Sequence, residues 1–477
     1  MARFNETSTG TKTVNLAGGQ AYKETAELEL ASLLLTSFAN DQFYEKADTK
    51  FNRIDDLLTK VDPLFSAKAG IYARTQYGMR SISHVLACKL AKFISGKDWA
   101  RRFYSKIVYR PDDMTEIVSY LKADKQKLPS ALKRGFADAF KKFDAYQIAK
   151  YKGEGKKVKL IDVANLITGK KTDALKNEAV SKLSRGTLTS PETWNAKLTK
   201  AGQTAKDAGE LVELKKQTWV EFVNNPKLEY FALLRNLRNI IQDSPDAIDK
   251  ACEELVNEKR IKKSLVLPFR FFTAINELEK VSGSRNVIIA LSRAAEISLS
   301  NVPNFSGNTL IAVDISGSMN GRVRDIAAMF AAVMYKAMNS ELIVFNNSAK
   351  YVTLNPLDSV LSLAKQIPGT SGGTNFNAIF DSCKTKVSRV IILSDMQAWM
   401  TGEYNSNVPT ASLNAYKSRT GADPFIYSFD LAGNGSLQFP ERNIYCLAGF
   451  SEKVFDIMKL LEEDKNALVN KIKEIVI

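Results

Sequence analysis

Histidine is almost missing from this 477-residue sequence, which carries one, His84, together with only four cysteines, Cys88, Cys252, Cys383 and Cys446. The cysteines are widely scattered and form no CxxC pair, so an ordinary zinc site is excluded and a disulfide framework finds no support. Long apolar runs are also missing. Stretches such as "VIIL" and "SLVLPF" fall far short of the roughly 20 residues that a bilayer-spanning helix needs. The opening "MARFNETSTGTKTVNLAGGQ" has no apolar core of the secretory kind, so the expected compartment is the cytoplasm, with no membrane partner. Negative charge is scarce as well. Asp and Glu number 52 against 67 Lys and Arg, for a formal net charge of +15.

What is present is ordinary in bulk and uneven in distribution. Hydrophobic residues make up 45% of the chain, and its length is enough for two or three domains with ample cores. The positive charge is concentrated between residues 121 and 200, where 19 Lys and Arg face eight Asp and Glu, an excess of +11 within the +15 total. A field gathered in this way favours a polyanionic partner over a merely solvated face.

From about residue 20 to 300 the apolar spacing predicts helix after helix. "ETAELELASLLLTSFA" (Glu24–Ala39) has Thr25 as a cap, and "FNRIDDLLTKVDPLFSAKAGIYART" breaks at Pro63. "SISHVLACKLAKFIS" follows, then "PDDMTEIVSYLKA" and "LPSALKRGFADAFKKF", each opened by a proline. Short helices joined by short turns suggest an α-solenoid of paired helices. At "SNVPNFSGN" the texture changes. "TLIAVDIS", "ELIVFN", "AKYVTL", "RVIILSD", "DPFIYSFDL" and "IYCLAG" read as strands. "RVRDIAAMFAAVMYKAM", "VLSLAKQI" and "SEKVFDIMKLLEE" read as the helices between and after them. This alternation predicts a doubly wound parallel sheet from about residue 301 to 477, preceded by a helical domain over 23–300 and an arm over 1–22.

Ligands of such sheets bind at the carboxyl ends of the strands. Asp314, Ser316 and Ser318 alternate directly after the first strand, and Gly317 permits the tight loop. Thr374 in "TSGGTNF" and Asp395 after "RVIIL" sit at comparable positions. Two carboxylates and three hydroxyls, with no nitrogen or sulfur, suit Mg²⁺ or Mn²⁺. The simpler reading of "DxSxS" is a helix cap, but the downstream Thr374 and Asp395 favour the metal. Nothing nearby offers an activated nucleophile, so the site is expected to bind without catalysis. This constellation resembles the metal-ion-dependent adhesion site of von Willebrand factor A domains, and the likeness extends over 301–477.

The helical part resembles the TROVE domain of the Ro autoantigen family through "ETAELELASLLL", "KLPSALKRGFADAFKKFDAYQIAKYK", "ALLRNLRNI" and "LPFRFFTAI". With the A-type domain, the likeness covers nearly the whole chain and marks it as similar to a bacterial or phage homologue. The resemblance implies a ring of HEAT-like helical repeats closed by the A domain. It implies binding of small structured Y-type RNA on the outer face, and of single-stranded ends of misfolded RNA in a central hole. It also implies a role in scaffolding or quality control, with a protein partner such as an exoribonuclease. Within the block "YQIAKYK" it maps RNA contact onto Lys150 and Lys152. Where relatives carry a histidine this chain has Thr168, followed by Lys170 and Lys171.

The residues point the same way. Lys133, Arg134, Lys141, Lys142, Lys150 and Lys152 fall on helices or their ends, and "KGEGKKVK" with Lys156 and Lys157 forms a basic loop. Lysine-rich contact favours phosphates over base identity. Phe136, Phe140 and Phe143, at helical spacing, are expected in the core, while Tyr146 and Tyr151 remain open. Arg235 and Arg238 either line a hole or lie on an ordinary helix surface, and His84 is expected to be structural. The competing function is a metal-dependent protein-interaction module acting through the A domain.

Overall fold

A computed structural model describes residues 11–14, 20–23, 25–36, 47–153, 155–168, 178–189, 191, 193–338, 340–369, 371–396, 409–431, 444–448, 454–464 and 466–477. A short antiparallel hairpin, β1 (Thr11–Val14) and β2 (Gln20–Lys23), precedes the helices and falls largely in the segment expected as an N-terminal arm. The first helical group comprises α1 (Ala26–Thr36), α2 (Ala47–Lys60), α3 (Pro63–Thr75), α4 (Ser81–Lys89), α5 (Ala100–Ile107), α6 (Pro111–Ala123), α7 (Ser130–Phe140), α8 (Ala145–Lys150), α9 (Leu160–Thr168) and α10 (Glu178–Ser184). The second comprises α11 (Trp194–Thr204), α12 (Ala208–Asn224), α13 (Tyr230–Asp243), α14 (Ile248–Leu255), α15 (Glu258–Ser264), α16 (Pro268–Leu278) and α17 (Arg285–Ser298).

The caps explain where these helices start. The Thr25 hydroxyl accepts the Leu28 N–H at 3.3 Å, and the Asp62 carboxylate accepts the Phe65 N–H at 2.9 Å with Pro63 in the first turn. Pro111 opens α6 in the same way. Helices two positions apart in the chain then stack, α3 on α5, α5 on α7 and α7 on α9, as expected of paired-helix repeats. The α5–α7 contact depends on Gly135, where a Cβ would lie 2.6 Å from the Arg101 carbonyl oxygen.

After α17 come β3 (Thr309–Asp314), α18 (Arg322–Met338), β4 (Glu341–Phe345), β5 (Ala349–Tyr351), α19 (Val360–Gln366), α20 (Asn377–Ser382), β6 (Arg389–Ser394), α21 (Pro409–Thr420), β7 (Phe425–Asp430), β8 (Ile444–Ala448), α22 (Val454–Glu463) and α23 (Ala467–Lys473). The six strands follow the order β5-β4-β3-β6-β7-β8. All neighbours pair in parallel except β5, which runs antiparallel at the edge, so the sheet is mixed where an all-parallel one was expected. Strand residues alternate between two cores. Ile311, Val313, Val344 and Leu393 face the core that includes α18 and α22, while Leu310, Ala312, Phe345 and Ile392 face α20 and α21. Helices thus cover both faces.

The α/β unit touches both ends of the helical array. On one side β8 and α23 pack on α1, and α23 packs on α3. Here Lys473 pairs with Glu27 at 3.1 Å, and the Lys68 ammonium donates to the Lys473 carbonyl at 2.5 Å. On the other side Phe269 of α16 stacks on Phe330 of α18 at 4.1 Å between ring centroids, and Lys336 pairs with Glu296 of α17 at 2.5 Å. The helices α11–α17 keep a separate core around Trp219.

Candidate metal centre and nucleic-acid interface

The chain leaves β3 toward β4 and β5 on one side and returns through β6, β7 and β8 on the other. The reversal therefore falls between β3 and β6, where a doubly wound sheet opens a crevice. Asp314 ends β3 and Asp395 follows β6 directly, so both lie at this crevice, 0% and 6% exposed. Asp314 accepts the Ser316 N–H at 2.8 Å, and the hydroxyls of Ser316 and Ser318 lie 3.2 Å apart. Two backbone hydrogen bonds tie this loop to the one bearing Thr374. Gly317 N–H donates to the Gly372 carbonyl at 3.0 Å, and Ser371 N–H to the Ile315 carbonyl at 2.8 Å. Gly372 has a φ of 81°, a conformation that favours glycine. Thr374 is buried beside this seam.

Sequence reasoning missed Ser394. Its hydroxyl donates to Asp314 Oδ2 at 2.6 Å and accepts the Met396 N–H at 3.0 Å, which fixes the carboxylate's rotation. The signal was a serine one place before Asp395, on the strand hydrogen-bonded to β3. Burial pushes the Asp314 carboxyl up to about 6; the Ser316 and Ser394 hydrogen bonds pull it down and the nearby Asp395 charge adds to the rise. A positive charge at the crevice would offset both burial and carboxylate repulsion. The described residues contain no cluster of three or more His, Cys, Asp or Glu, so hydroxyls would have to supply much of any cation's protein shell. The all-oxygen donor set fits a hard divalent ion.

The basic block lies on α7, α8 and the loop into α9. Phe136, Phe140 and Phe143 are buried, as their spacing predicts. Among the predicted contacts, Arg134, Lys141, Lys142, Lys150, Lys156 and Lys157 are exposed, while Lys133 and Lys152 are half-buried. Several already have protein partners. Lys141 pairs with Asp138 at 3.6 Å, Lys156 with Glu116 at 2.6 Å, and Lys142 donates to the Ser105 carbonyl. Lys152 donates to the Leu188 carbonyl at 2.5 Å, anchoring the segment after α10. Lys170 and Lys171 lie outside the described residues, as does the Thr168 side chain.

Lys150 belongs to a patch only partly foreseen. Its ammonium sits 5.7 Å from the ring centroids of both Tyr146 and Tyr151, and the Arg110 guanidinium lies 4.3 Å over Tyr151. Tyr146 is 53% exposed and Tyr109, adjoining Arg110, is 61% exposed. Beneath the patch lies a buried ionic cluster. Arg74 bonds Asp113 at 2.9 Å, His84 Nε2 lies 2.9 Å from the same carboxylate, and Arg110 pairs with Asp112 at 2.9 Å. His84 is structural, as expected, and sits in this cluster rather than among apolar neighbours alone. Burial would raise the Asp113 carboxyl, but His84, Arg74 and the Arg110 N–H hold it well below the usual carboxylate range. Arg235 and Arg238 lie elsewhere, in a groove between α13 and α16.

A mixed sheet covered on both faces, in contact with both ends of a paired-helix array, defines the structural class. The chain belongs to the TROVE domain family, whose matches cover residues 28–182 and 175–341 and so run past α17 through β3 and α18. These matches bear out the resemblance read from the sequence. The telomerase protein component 1 of Rattus norvegicus is 23% identical over 345 residues, which are 54% of this chain and 13% of that protein. The protein of the same name from Mus musculus is 24% identical over 310 residues, 47% of this chain and 11% of that one. This chain thus spans a small part of those relatives. The crystal structure of the Deinococcus radiodurans RO (RSR) protein aligns with a TM-score of 0.61 at 16% identity, covering 94% of this chain and all of that one. At that identity the likeness concerns the fold. No described helix is long and apolar enough to cross a membrane.

Proposed function

We propose that the protein is an RNA-binding, non-enzymatic Ro-like scaffold. In this reading residues 23–300 form a HEAT-like ring, closed by a von Willebrand factor A-type domain over 301–477. The observation that carries it is the patch in which Tyr109 and Arg110 meet Tyr146, Lys150 and Tyr151 of the most basic stretch of a TROVE chain. Guanidinium and ammonium groups neutralise phosphates, while exposed tyrosines offer faces to unpaired bases. The ligands would be small structured RNA of the Y type and single-stranded ends of misfolded RNA. Lys150→Ala combined with Arg110→Ala should weaken binding of a single-stranded RNA at least tenfold in a gel-shift assay. Unchanged affinity in a folded variant would overturn the assignment.

The crevice of Asp314, Ser316, Ser318, Thr374 and Asp395 would hold Mg²⁺ or Mn²⁺ and present it to a carboxylate of a protein partner, an exoribonuclease for example. The bound ion would supply a fixed positive charge, and Ser394 would orient Asp314 toward it. The donor set and the stitched loops support this second contact, which is separate from the basic face.

A further inference from the structure

A groove of about 470 Å³ opens between α13 and α16, far in sequence from the lysine-rich block. Its walls follow from helical periodicity. Phe231, Leu234, Arg235 and Arg238 recur at spacings of three, one and three residues, so they share one face of α13. Arg270, Thr273, Ala274 and Glu277 do the same on α16. The floor is apolar, with Phe231, Leu234 and Ala274 half-buried, and the three arginines stand exposed at the rim. Glu277 is the one carboxylate among the lining residues. Neither Arg235 nor Arg238 has an ion-pair partner among the described residues, whereas Arg270 already takes part in a further interaction.

Three guanidiniums over an apolar floor, with one carboxylate among them, form a site for an anion that carries a flat hydrophobic body. The guanidinium fork matches phosphate oxygens in bidentate geometry, which a single exposed lysine does not. The volume falls in the range of roughly 300–1,000 Å³ typical of small-ligand sites. Phe231 supplies a ring on which a base can stack.

We propose that this groove binds a nucleotide bearing a terminal phosphate, with Arg235, Arg238 and Arg270 on the phosphate and Phe231 beneath the base. The proposal deepens the RNA-binding reading, on which it rests for an in-chain source of such a nucleotide, but it uses none of the same residues. Free mononucleotide and the phosphorylated end of an RNA strand share this chemistry.

The test uses the full chain and fluorescent six-nucleotide RNAs carrying either a phosphate or a hydroxyl at the labelled-strand end. The phosphorylated RNA should bind at least fivefold tighter, and Arg235→Gln with Arg238→Gln should abolish that difference while the thermal melt stays unchanged. Phe231→Leu should weaken both AMP and the phosphorylated RNA while leaving inorganic phosphate competition as it was. Displacement of the RNA by AMP would name free nucleotide as a ligand, and displacement only by phosphorylated RNA would name the strand end; either supports the site. Equal affinity for the two RNAs, or a phosphate preference that survives the double substitution, would overturn it. So would competition by an acidic peptide at the same concentration as AMP. Lys150→Ala measured alongside keeps the readings apart, since it should lower affinity for both RNAs equally. If it does not, the basic-face assignment fails while the phosphate preference is still judged on Arg235 and Arg238.

Discussion

Asp113 shows how a single buried carboxylate can support a surface. It is 0% exposed, yet it receives Arg74, His84, Arg80 and the backbone N–H groups of Tyr109 and Arg110. Removing one partner of such a cluster leaves uncompensated buried charge, so Asp113→Ala should destabilise the protein by about 3–5 kcal/mol in a urea melt. A loss under about 1 kcal/mol would contradict the role. The carboxyl is depressed in the folded state, so its stabilisation is complete above the unfolded value of about 4 and lost as pH falls below it. Acid melts of the wild type should therefore steepen below that point, and those of Asp113→Ala should steepen less. At the crevice, Asp314→Ala should abolish Mn²⁺ binding in a calorimetric titration without changing RNA affinity; equal Mn²⁺ binding would dismiss the site. The sequence singled out five oxygen-bearing residues for the crevice but not Ser394, whose contact with Asp314 depends on β6 lying against β3. It also paired Lys150 with Lys152, neighbours in spacing whose environments differ. Lys150 lies over tyrosines, while Lys152 is committed to the Leu188 carbonyl. Lys152→Ala should therefore show in the thermal melt before it shows in RNA affinity.

At the level of elements, proline- and Asp-marked helix starts were readable because the cap is local. Pro63, Pro111 and Thr25 all stand where the helices begin. The strands of the sheet were readable from continuous apolar runs. The β1–β2 hairpin was not, since "TKTV" and "QAYK" offer four residues each with weak alternation; the Gly18–Gly19 pair between them was the available signal. The antiparallel direction of β5 was hidden too, because direction follows from the short connection to β4 rather than from composition. Close helix approach is a further property of pairs. Gly135→Ala would set a Cβ 2.7 Å from that of Tyr104 and 2.6 Å from a carbonyl oxygen, so α5 and α7 must separate. The expected loss is about 1–3 kcal/mol by chemical denaturation, and a neutral result would show the pair can shift freely.

Across the whole molecule, charge and connectivity act over longer distances. If about six phosphates are neutralised on the basic face, log K for single-stranded RNA should fall with a slope near −4 against log[salt]. A flat profile from low to moderate salt would exclude an electrostatic interface. The joint at Phe269 should matter similarly for stability. Phe269→Ala removes a ring stacked on Phe330 and is expected to lower stability by about 3–5 kcal/mol. The opposite joint, where α23 closes over α1 and α3, has a consequence in time. Lys68 and Lys473 are 405 positions apart, so the faces of the first helices wait for almost the entire chain to be synthesised. At roughly 5–20 residues per second the delay is on the order of 20–80 s. During that interval the nascent chain bears uncovered apolar helices, which makes the growing polypeptide, rather than the finished protein, the species most dependent on chaperones.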